Sequence, residues 1–420
     1  MPTRLRSTVA ALRPPAFVAR PVGYALFSRL LVWVIAAVTM AMFSPRRNPH
    51  VAEREWDPQA FDMHTLAGHV ARVGERWDSE WYIRIAGEGY GENPVTTAFF
   101  PLYPGLMALL GQLGIPLWLA GTLISLLALC AAAVVLHLVF TLLPGIDPPG
   151  ARRGLLLWLF FPFSVVLGAI YPESLLVLFV ALAWLFALRG QRVWCGVAVG
   201  LAMLTKSLGV AGFAFLLFTH ARAGEGTQPW RQKRTWLGFA VACALSALWP
   251  LYLYLKYGNA LTFAEAQSSW SREAPFLGPI GGLWESGVAG VGAIGAVFMK
   301  TLDLSPELVS NFEAVHGTGM QDILGLVALV GLAVASVWAW RWFGAGAGLA
   351  NLVVVVIPLT ATAAAVPLMS APRFLVVALP LYAVLARATA RSANPDLWTI
   401  ASASLFGMVT TGWALWQWMG

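Results

Sequence analysis

The feature that most constrains this chain is its succession of long apolar runs separated by short charged segments. A helix rising 1.5 Å per residue needs about 20 apolar residues to cross a bilayer. Runs of this kind recur at 22–43, 116–143, 154–170, 172–188, 193–205, 207–221, 235–256, 321–340, 347–366, 374–390 and 397–418. These make eleven candidate spans, several of them short. The runs are continuous rather than alternating, which argues against a β-barrel. The expectation is an all-α polytopic membrane protein with about 11 transmembrane helices. Composition agrees, with 59% hydrophobic and only 11% charged residues. A soluble protein carries about a quarter charged residues, and a disordered chain is polar and poor in aromatics. The 20 Trp suit a chain that meets membrane–water boundaries. Pro162, Pro172 and Gly209 interrupt the stretch 154–221, as broken helices do when protein shields them or when they line a cavity.

Charge sets the expected orientation. With the N-terminus in the cytoplasm, the inner segments hold Arg4, Arg6, Arg13, Arg20, Arg152, Arg153, Arg189, Arg192, Arg222, Arg231, Lys233, Arg234, Arg341, Arg387 and Arg391. The inner carboxylates are then only Asp147, Glu225 and Asp396. Short basic loops gathered on one side mark the cytoplasmic face. The net charge of +7 thus reports topology and gives no reason to invoke nucleic acid. Residues 1–21 read as a cytoplasmic tail and 22–420 as one transmembrane domain. No cleavable signal peptide is read, because the first apolar run lacks a small-residue cleavage site. Two outer loops are long, 44–115 and 257–320, and long ordered loops are usually functional. Cys130, Cys195 and Cys243 lie in apolar runs and read as packing residues. No internal repeat is visible, which weakens a transporter built from inverted halves.

The most informative stretch is Arg76-Trp77-Asp78-Ser79-Glu80-Trp81-Tyr82-Ile83-Arg84-Ile85-Ala86, running on to Gly89-Tyr90. As a helix from Ser79, it puts Trp81 and Ile85 on one face and lets Glu80 pair with Arg84 four residues on. Such an amphipathic helix in the first outer loop would lie at the membrane surface. Asp78 falls at its start. It can cap the helix, or it can present a carboxylate at the membrane boundary to a lipid-borne substrate, and the two roles are compatible.

Further on come Ala98-Phe99-Phe100-Pro101-Leu102-Tyr103-Pro104, Phe160-Phe161-Pro162-Phe163-Ser164 and Tyr171-Pro172-Glu173-Ser174. Glu173 is either a helix-start acid near the positive dipole end or a functional group, since an acid among apolar spans is costly to keep. Lys206, in Leu204-Thr205-Lys206-Ser207, and Arg373, in Pro372-Arg373-Phe374, are cations on the outer side. They can snorkel to headgroups, or together hold a lipid phosphate, Arg by two hydrogen bonds and Lys as a point charge. His50, His64, His69, His137, His220 and His316 show no HxxxH spacing, and no CxxC occurs, so no metal site is expected. Nucleophile-elbow, P-loop and dinucleotide fingerprints are absent from the sequence.

In their order along the chain, Trp77-Asp78, Trp81 to Ala86 with Gly89-Tyr90, and Ala98 to Pro104 resemble the PIG-V mannosyltransferase family. The match continues through Phe161 to Ser164, Tyr171 to Ser174, Leu204 to Gly209 and Pro372 to Phe374. The first two motifs are the more specific. The segment 257–320 resembles nothing familiar. The resemblance implies a helical bundle of the GT-C class of membrane glycosyltransferases. It also implies mannose transferred outside the cytoplasm from a polyprenyl phosphate mannose donor. Eukaryotic members add the second mannose to glycosylphosphatidylinositol precursors. The high Ala, Gly, Arg and Trp usage suggests a bacterium instead, so the acceptor stays open among glycolipid, polysaccharide and protein. One departure stands out: Lys206-Ser207 occupies a place where bacterial members often carry Arg-Pro or Arg-Ser, which keeps the charge and loses bidentate phosphate binding.

The expected chemistry is an inverting single displacement at the cell membrane, with Asp78 as base toward an acceptor hydroxyl. Arg373 and Lys206 would stabilise the leaving phosphate, and Glu173 would hold sugar hydroxyls or a cation. Trp77, Glu80, Trp81 and Arg84 complete the expected substrate-binding set. No cofactor is expected, the lipid-linked sugar being a substrate. The rival class is a transporter or lipid-linked sugar flippase without transferase chemistry.

Overall fold

The apolar runs fold as helices because only helices satisfy their own backbone in hydrocarbon. In the structure, a computed structural model, residues 14–43, 66–221, 228–302, 320–363, 367–368 and 370–417 are described. The tail 1–13 and the loop portions 44–65 and 303–319, with His50, His64 and His316, lie outside them. The longer helices are α1 (Pro14–Met42), α2 (Ser79–Glu88), α3 (Leu102–Gln112), α4 (Leu117–Leu142), α5 (Pro148–Leu159), α6 (Glu173–Leu188) and α7 (Arg192–Thr205). They continue as α8 (Ala211–Phe218), α9 (Lys233–Tyr257), α10 (Pro279–Thr301), α11 (Met320–Phe343), α12 (Ala345–Leu359), α13 (Leu379–Thr389) and α14 (Asp396–Ala414). The chain is therefore an all-α membrane protein, apart from one ribbon of two-residue strands, β1 (Arg272–Glu273) and β2 (Thr362–Ala363).

The expected eleven spans are not all matched by long helices. Among the described residues, five helices are long and apolar enough to cross, and seven if each of two bent pairs counts as one span. The bent pairs are Pro148–Leu159 with Pro162–Gly168, and Ala371–Val377 with Leu379–Thr389, each turned by 78°. The stretch 172–221 forms only short helices. α6, with 16 residues, reaches about 24 Å, less than the ~30 Å hydrocarbon core. These helices are sheltered instead: Trp184 is buried and stacks on Phe215 with ring centroids 4.9 Å apart.

The loop 257–320 also departs from expectation, because it contains the 23-residue helix α10. Six glycines between residues 281 and 295 dilute its hydropathy and hid it in the sequence. Its placement is unusual. β1 pairs antiparallel with β2, Arg272 opposite Ala363, so the chain just before α10 and just after α12 lies at one level. Gly282 packs on the Leu359 backbone at the end of α12, Thr362 donates to Glu285 Oε2 at 2.6 Å, and Gly290 packs against Leu326 near the start of α11. α11 and α12 pack along each other as a hairpin, with Gly348 against Trp340.

The basic segments gather at the other end. Arg387 Nη1 donates to the Pro144 carbonyl at 3.3 Å, and Arg192 Nη1 to the Thr219 carbonyl at 2.8 Å.

Candidate active site

Residues 72–79 form a rigid corner. Trp77 is held at φ +44°, a conformation that costs a non-glycine residue roughly 1–2 kcal/mol. Neighbours over-determine it. The Trp77 ring sits edge-on to Trp413 and Trp416, at 4.8 and 5.7 Å between centroids. Trp413 Nε1 donates to the Val73 carbonyl, and the Arg76 guanidinium stacks 4.2 Å from the Trp416 ring. The buried Arg72 pairs with Glu75. The α1 side chain Arg29 donates to the carbonyls of Ser164 and Val165 at 2.8 and 3.2 Å, satisfying backbone freed by the break after α5. From that break the chain runs on to Ile170, whose N–H reaches the Gly74 carbonyl at 2.9 Å, and to Tyr171.

Tyr171 is the hinge pin of the corner. Its hydroxyl accepts the Asp78 N–H at 3.1 Å and donates to the Arg76 carbonyl at 3.0 Å. Asp78 is thereby fixed at the start of α2, yet its side chain makes no capping bond. It turns to Arg373, with Oδ2 2.8 Å from Nη1. Oδ1 has no hydrogen-bond partner among the described residues. The Asp78 side chain is 24% exposed, so a solute can reach it. Of the two roles left open by the sequence, the capping bond is not made, and the carboxylate pairs with Arg373 instead.

Arg373 rises from the short helix Ala371–Phe374, which Ser370 enters at φ +69°. Its guanidinium lies over the Tyr171 ring and 3.6 Å from Glu173 Oε1. Glu173, only 1% exposed, opens α6 behind Pro172 and bonds Lys206 Nζ at 2.7 Å. Its Oε2 is buried without a hydrogen-bond partner among the described residues. Lys206 caps the broken end of α7 and lies over the Phe374 ring. Residues 78, 173, 206 and 373, apart in sequence, thus form one alternating chain of charge. Each cation is already bonded to a carboxylate, so an incoming phosphate would share them.

The cluster is recessed. The Tyr171 carbonyl accepts from Ser125 Oγ, whose side chain also meets the Tyr103 hydroxyl at 2.8 Å. Ser125 lies eight residues inside the N-terminal end of α4, so the Tyr171 carbonyl is met about 12 Å along the helix from that end. Tyr82 is buried between Phe99 and Tyr103. Burial, then the charges of Glu173 and Asp78, push its hydroxyl well above the ordinary tyrosine value. Beside α2, an apolar cavity of about 500 Å³ is lined by Ile85, Tyr90, Leu102, Leu204, Trp249 and Tyr252 among others.

The remaining expected site residues part company. Trp81 stacks on Phe99 at 5.6 Å and meets Trp270 edge-on at 5.8 Å, forming a wall. Arg84 does not pair with Glu80. It points outward, half exposed, and its Nε bonds Glu88 Oε2 at 3.0 Å. Glu80 is partly buried on the same short helix. Among the described residues no group of three or more His, Cys, Asp or Glu gathers as a metal site would.

Sequence reasoning missed two residues. Tyr171 lay in a quoted motif but received no role, and its adjacency to Glu173 was the only signal. Arg272, partly buried on β1, lies within electrostatic reach of Asp78 and Arg373. No sequence signal marks it.

A family model described as Mannosyltransferase (PIG-V) matches residues 20–249, which contain Asp78, Glu173 and Lys206. Helices, buried charge cluster and family match together define a membrane glycosyltransferase, and the chain belongs to the PIG-V mannosyltransferase family. Arg373 and Arg272 fall beyond the matched residues. No curated protein and no solved structure matches the chain.

Proposed function

We propose that this protein transfers a mannosyl residue from a polyprenyl phosphate mannose donor to an acceptor hydroxyl, by inverting single displacement with Asp78 as base. The observation that carries this reading is the geometry of Asp78. One carboxylate oxygen is tied to Arg373, the other makes no hydrogen bond among the described residues, and the side chain is 24% exposed. In the step, Asp78 takes the acceptor's hydroxyl proton. The acceptor oxygen bonds to the sugar's anomeric carbon as the bond from that carbon to the phosphate oxygen breaks, and the phosphate leaves with the electron pair. Arg373 and Lys206 meet the growing negative charge, which is where fixed cations contribute most. Glu173 orders both cations, and its open Oε2 suits a sugar hydroxyl. The apolar cavity along α2 and α9 takes the prenyl chain. No metal or cofactor is needed, because the donor carries a single phosphate.

The bundle is of GT-C type in this reading, in a bacterial cell membrane. The N-terminus and basic loops face the cytoplasm, and the site faces outward. The segregation of Arg192 and Arg387 at the end opposite Asp78 supports that orientation. The acceptor is a glycolipid, polysaccharide or protein hydroxyl. A transporter or flippase without transferase chemistry fits less well, since membership of a mannosyltransferase family and a solute-reachable carboxylate both point to transfer. Incubating the purified protein with synthetic prenyl phosphate mannose tests this directly. Release of prenyl phosphate, read by mass spectrometry, is expected. Persistence of the intact donor with every acceptor class offered would overturn it.

A further inference from the structure

Four tyrosines are buried among the described residues: Tyr82, Tyr103, Tyr171 and Tyr382. Three of them have bonded hydroxyls. Tyr103 meets Gly121 and Ser125, Tyr171 meets Arg76 and Asp78, and Tyr382 donates to the Leu375 carbonyl at 3.1 Å. The Tyr82 hydroxyl has no hydrogen-bond partner among the described residues, although the residue is only 4% exposed. Its oxygen is not sealed off, since it is not among the enclosed polar atoms left without a partner. A buried tyrosine hydroxyl usually finds a partner, and leaving one unmade costs stability. Geometry sets this side chain against the site. Tyr82 follows Asp78 by one turn of α2, and its N–H reaches the Asp78 carbonyl at 3.4 Å, so the two side chains leave the same face of the helix. Its ring packs edge-on to Phe99 and Tyr103, with centroids 5.1 and 5.3 Å apart, and lies 6.4 Å from the Tyr171 ring. Burial, then the charges of Glu173 and Asp78, keep the proton on its oxygen.

We infer that Tyr82 is a substrate-recognition residue, whose hydroxyl bonds a hydroxyl of the transferred sugar. This rests on the donor reading given above. The Tyr82 ring touches Tyr171, which holds the Asp78 N–H at its hydroxyl and carries the Arg373 guanidinium 5.4 Å over its ring. Single displacement sets the sugar between the base and the cation that meets the phosphate, so a group packed on Tyr171 lies beside the sugar. The chemistry of the cluster calls for such a group. The oxygens without partners, Asp78 Oδ1 and Glu173 Oε2, belong to carboxylates, which accept only. Arg373 and Lys206 donate only, and each is bonded to a carboxylate. A sugar hydroxyl both donates and accepts, and a phenol can answer either way. Being neutral, it neither repels the donor phosphate nor draws it from the two cations. A site built to bond a sugar hydroxyl also rejects an analogue that lacks it, because its own polar group is then left unpaired.

The test compares the full-length wild type in lipid nanodiscs with Tyr82→Phe, and with Tyr103→Phe as the control for a hydroxyl bonded within the protein. Binding of prenyl phosphate mannose and of sugar-free prenyl phosphate is followed by Trp fluorescence without acceptor. Transfer is measured separately, with prenyl phosphate mannose and with donors each lacking one sugar hydroxyl. Tyr82→Phe keeps the ring and removes an oxygen without a partner, so its resistance to unfolding should match or exceed wild type, while Tyr103→Phe should be less stable. Tyr82→Phe is expected to bind prenyl phosphate mannose about tenfold more weakly and prenyl phosphate as wild type does. One deoxy donor should be transferred about tenfold more slowly than the full donor by wild type, and at the same rate as the full donor by Tyr82→Phe, because the two groups act on each other. Equal binding of prenyl phosphate mannose by wild type and Tyr82→Phe overturns the inference. So does an equal loss of both ligands, or the same penalty for every deoxy donor in both proteins. If wild type holds the sugar-bearing ligand through Tyr82 but transfers nothing, the transfer reading fails and the sugar contact stands.

Discussion

Neutralising Glu173 should unbalance the site more than removing its cationic partner. At an effective dielectric of about 20, unit charges at the Lys206–Glu173 separation of 2.7 Å attract by roughly 6 kcal/mol before desolvation is counted. The net effect of deleting one member of a buried pair is about 3–5 kcal/mol, because the other charge is left uncompensated. Glu173→Gln strands two cations, Lys206 and Arg373. Lys206 is 19% exposed and can turn toward solvent, so the low end, about 3 kcal/mol, is expected. Lys206→Met leaves Glu173 still facing Arg373, and should cost less. The double variant should recover part of the loss, giving a coupling energy of about 1–3 kcal/mol. The assay is denaturant unfolding in mixed micelles, followed by Trp fluorescence, for the four proteins of the cycle. Additive losses, with a coupling within about 0.5 kcal/mol of zero, would refute the claim that these charges hold each other.

Other perturbations test separate parts of the account. Tyr171→Phe removes the acceptor for the Asp78 N–H and the donor to the Arg76 carbonyl. It should lower kcat about tenfold, equivalent to about 1.4 kcal/mol, with little change in KM; an unchanged kcat would show that Tyr171 does not position the base. Gly196→Ala would put a methyl group 2.0 Å from the Gly238 carbonyl oxygen where α7 meets α9, costing about 1–3 kcal/mol or more of overpacking. Gly287→Ala on α10 meets nothing within 4 Å and should be neutral or slightly stabilising; equal yields of folded protein for the two would count against the α7–α9 contact. For orientation, Glu88→Cys should react with an impermeant maleimide from outside intact cells and Arg152→Cys only after lysis.

What the sequence made legible follows from the range of the forces involved. α1, α4 and α11 announce themselves because an unbroken apolar run leaves a helix no alternative. The runs of α6, α7 and α8 read as spans in the sequence, but helices this short depend on neighbours that the sequence does not display. α10 was invisible for a different reason: its glycines serve close packing on Leu359 and Leu326, which is a tertiary fact. Asp78, Glu173, Lys206 and Arg373 stood out as charges among apolar residues, and the structure brings them together. Arg84 stood out by the same rule and lies elsewhere, because a charge on an exposed helix face looks the same in a sequence. The ribbon joining residues 272 and 363 was not legible either, because no local pattern encodes a pairing across that distance.

The role of Asp78 can be measured most directly by single-turnover transfer from prenyl phosphate mannose, comparing wild type with Asp78→Asn. The substitution keeps the shape of the side chain and removes its capacity to take a proton. Loss of transfer by a factor of about 100 or more, with prenyl phosphate still bound, is the predicted result. Transfer at the wild-type rate by Asp78→Asn would contradict it.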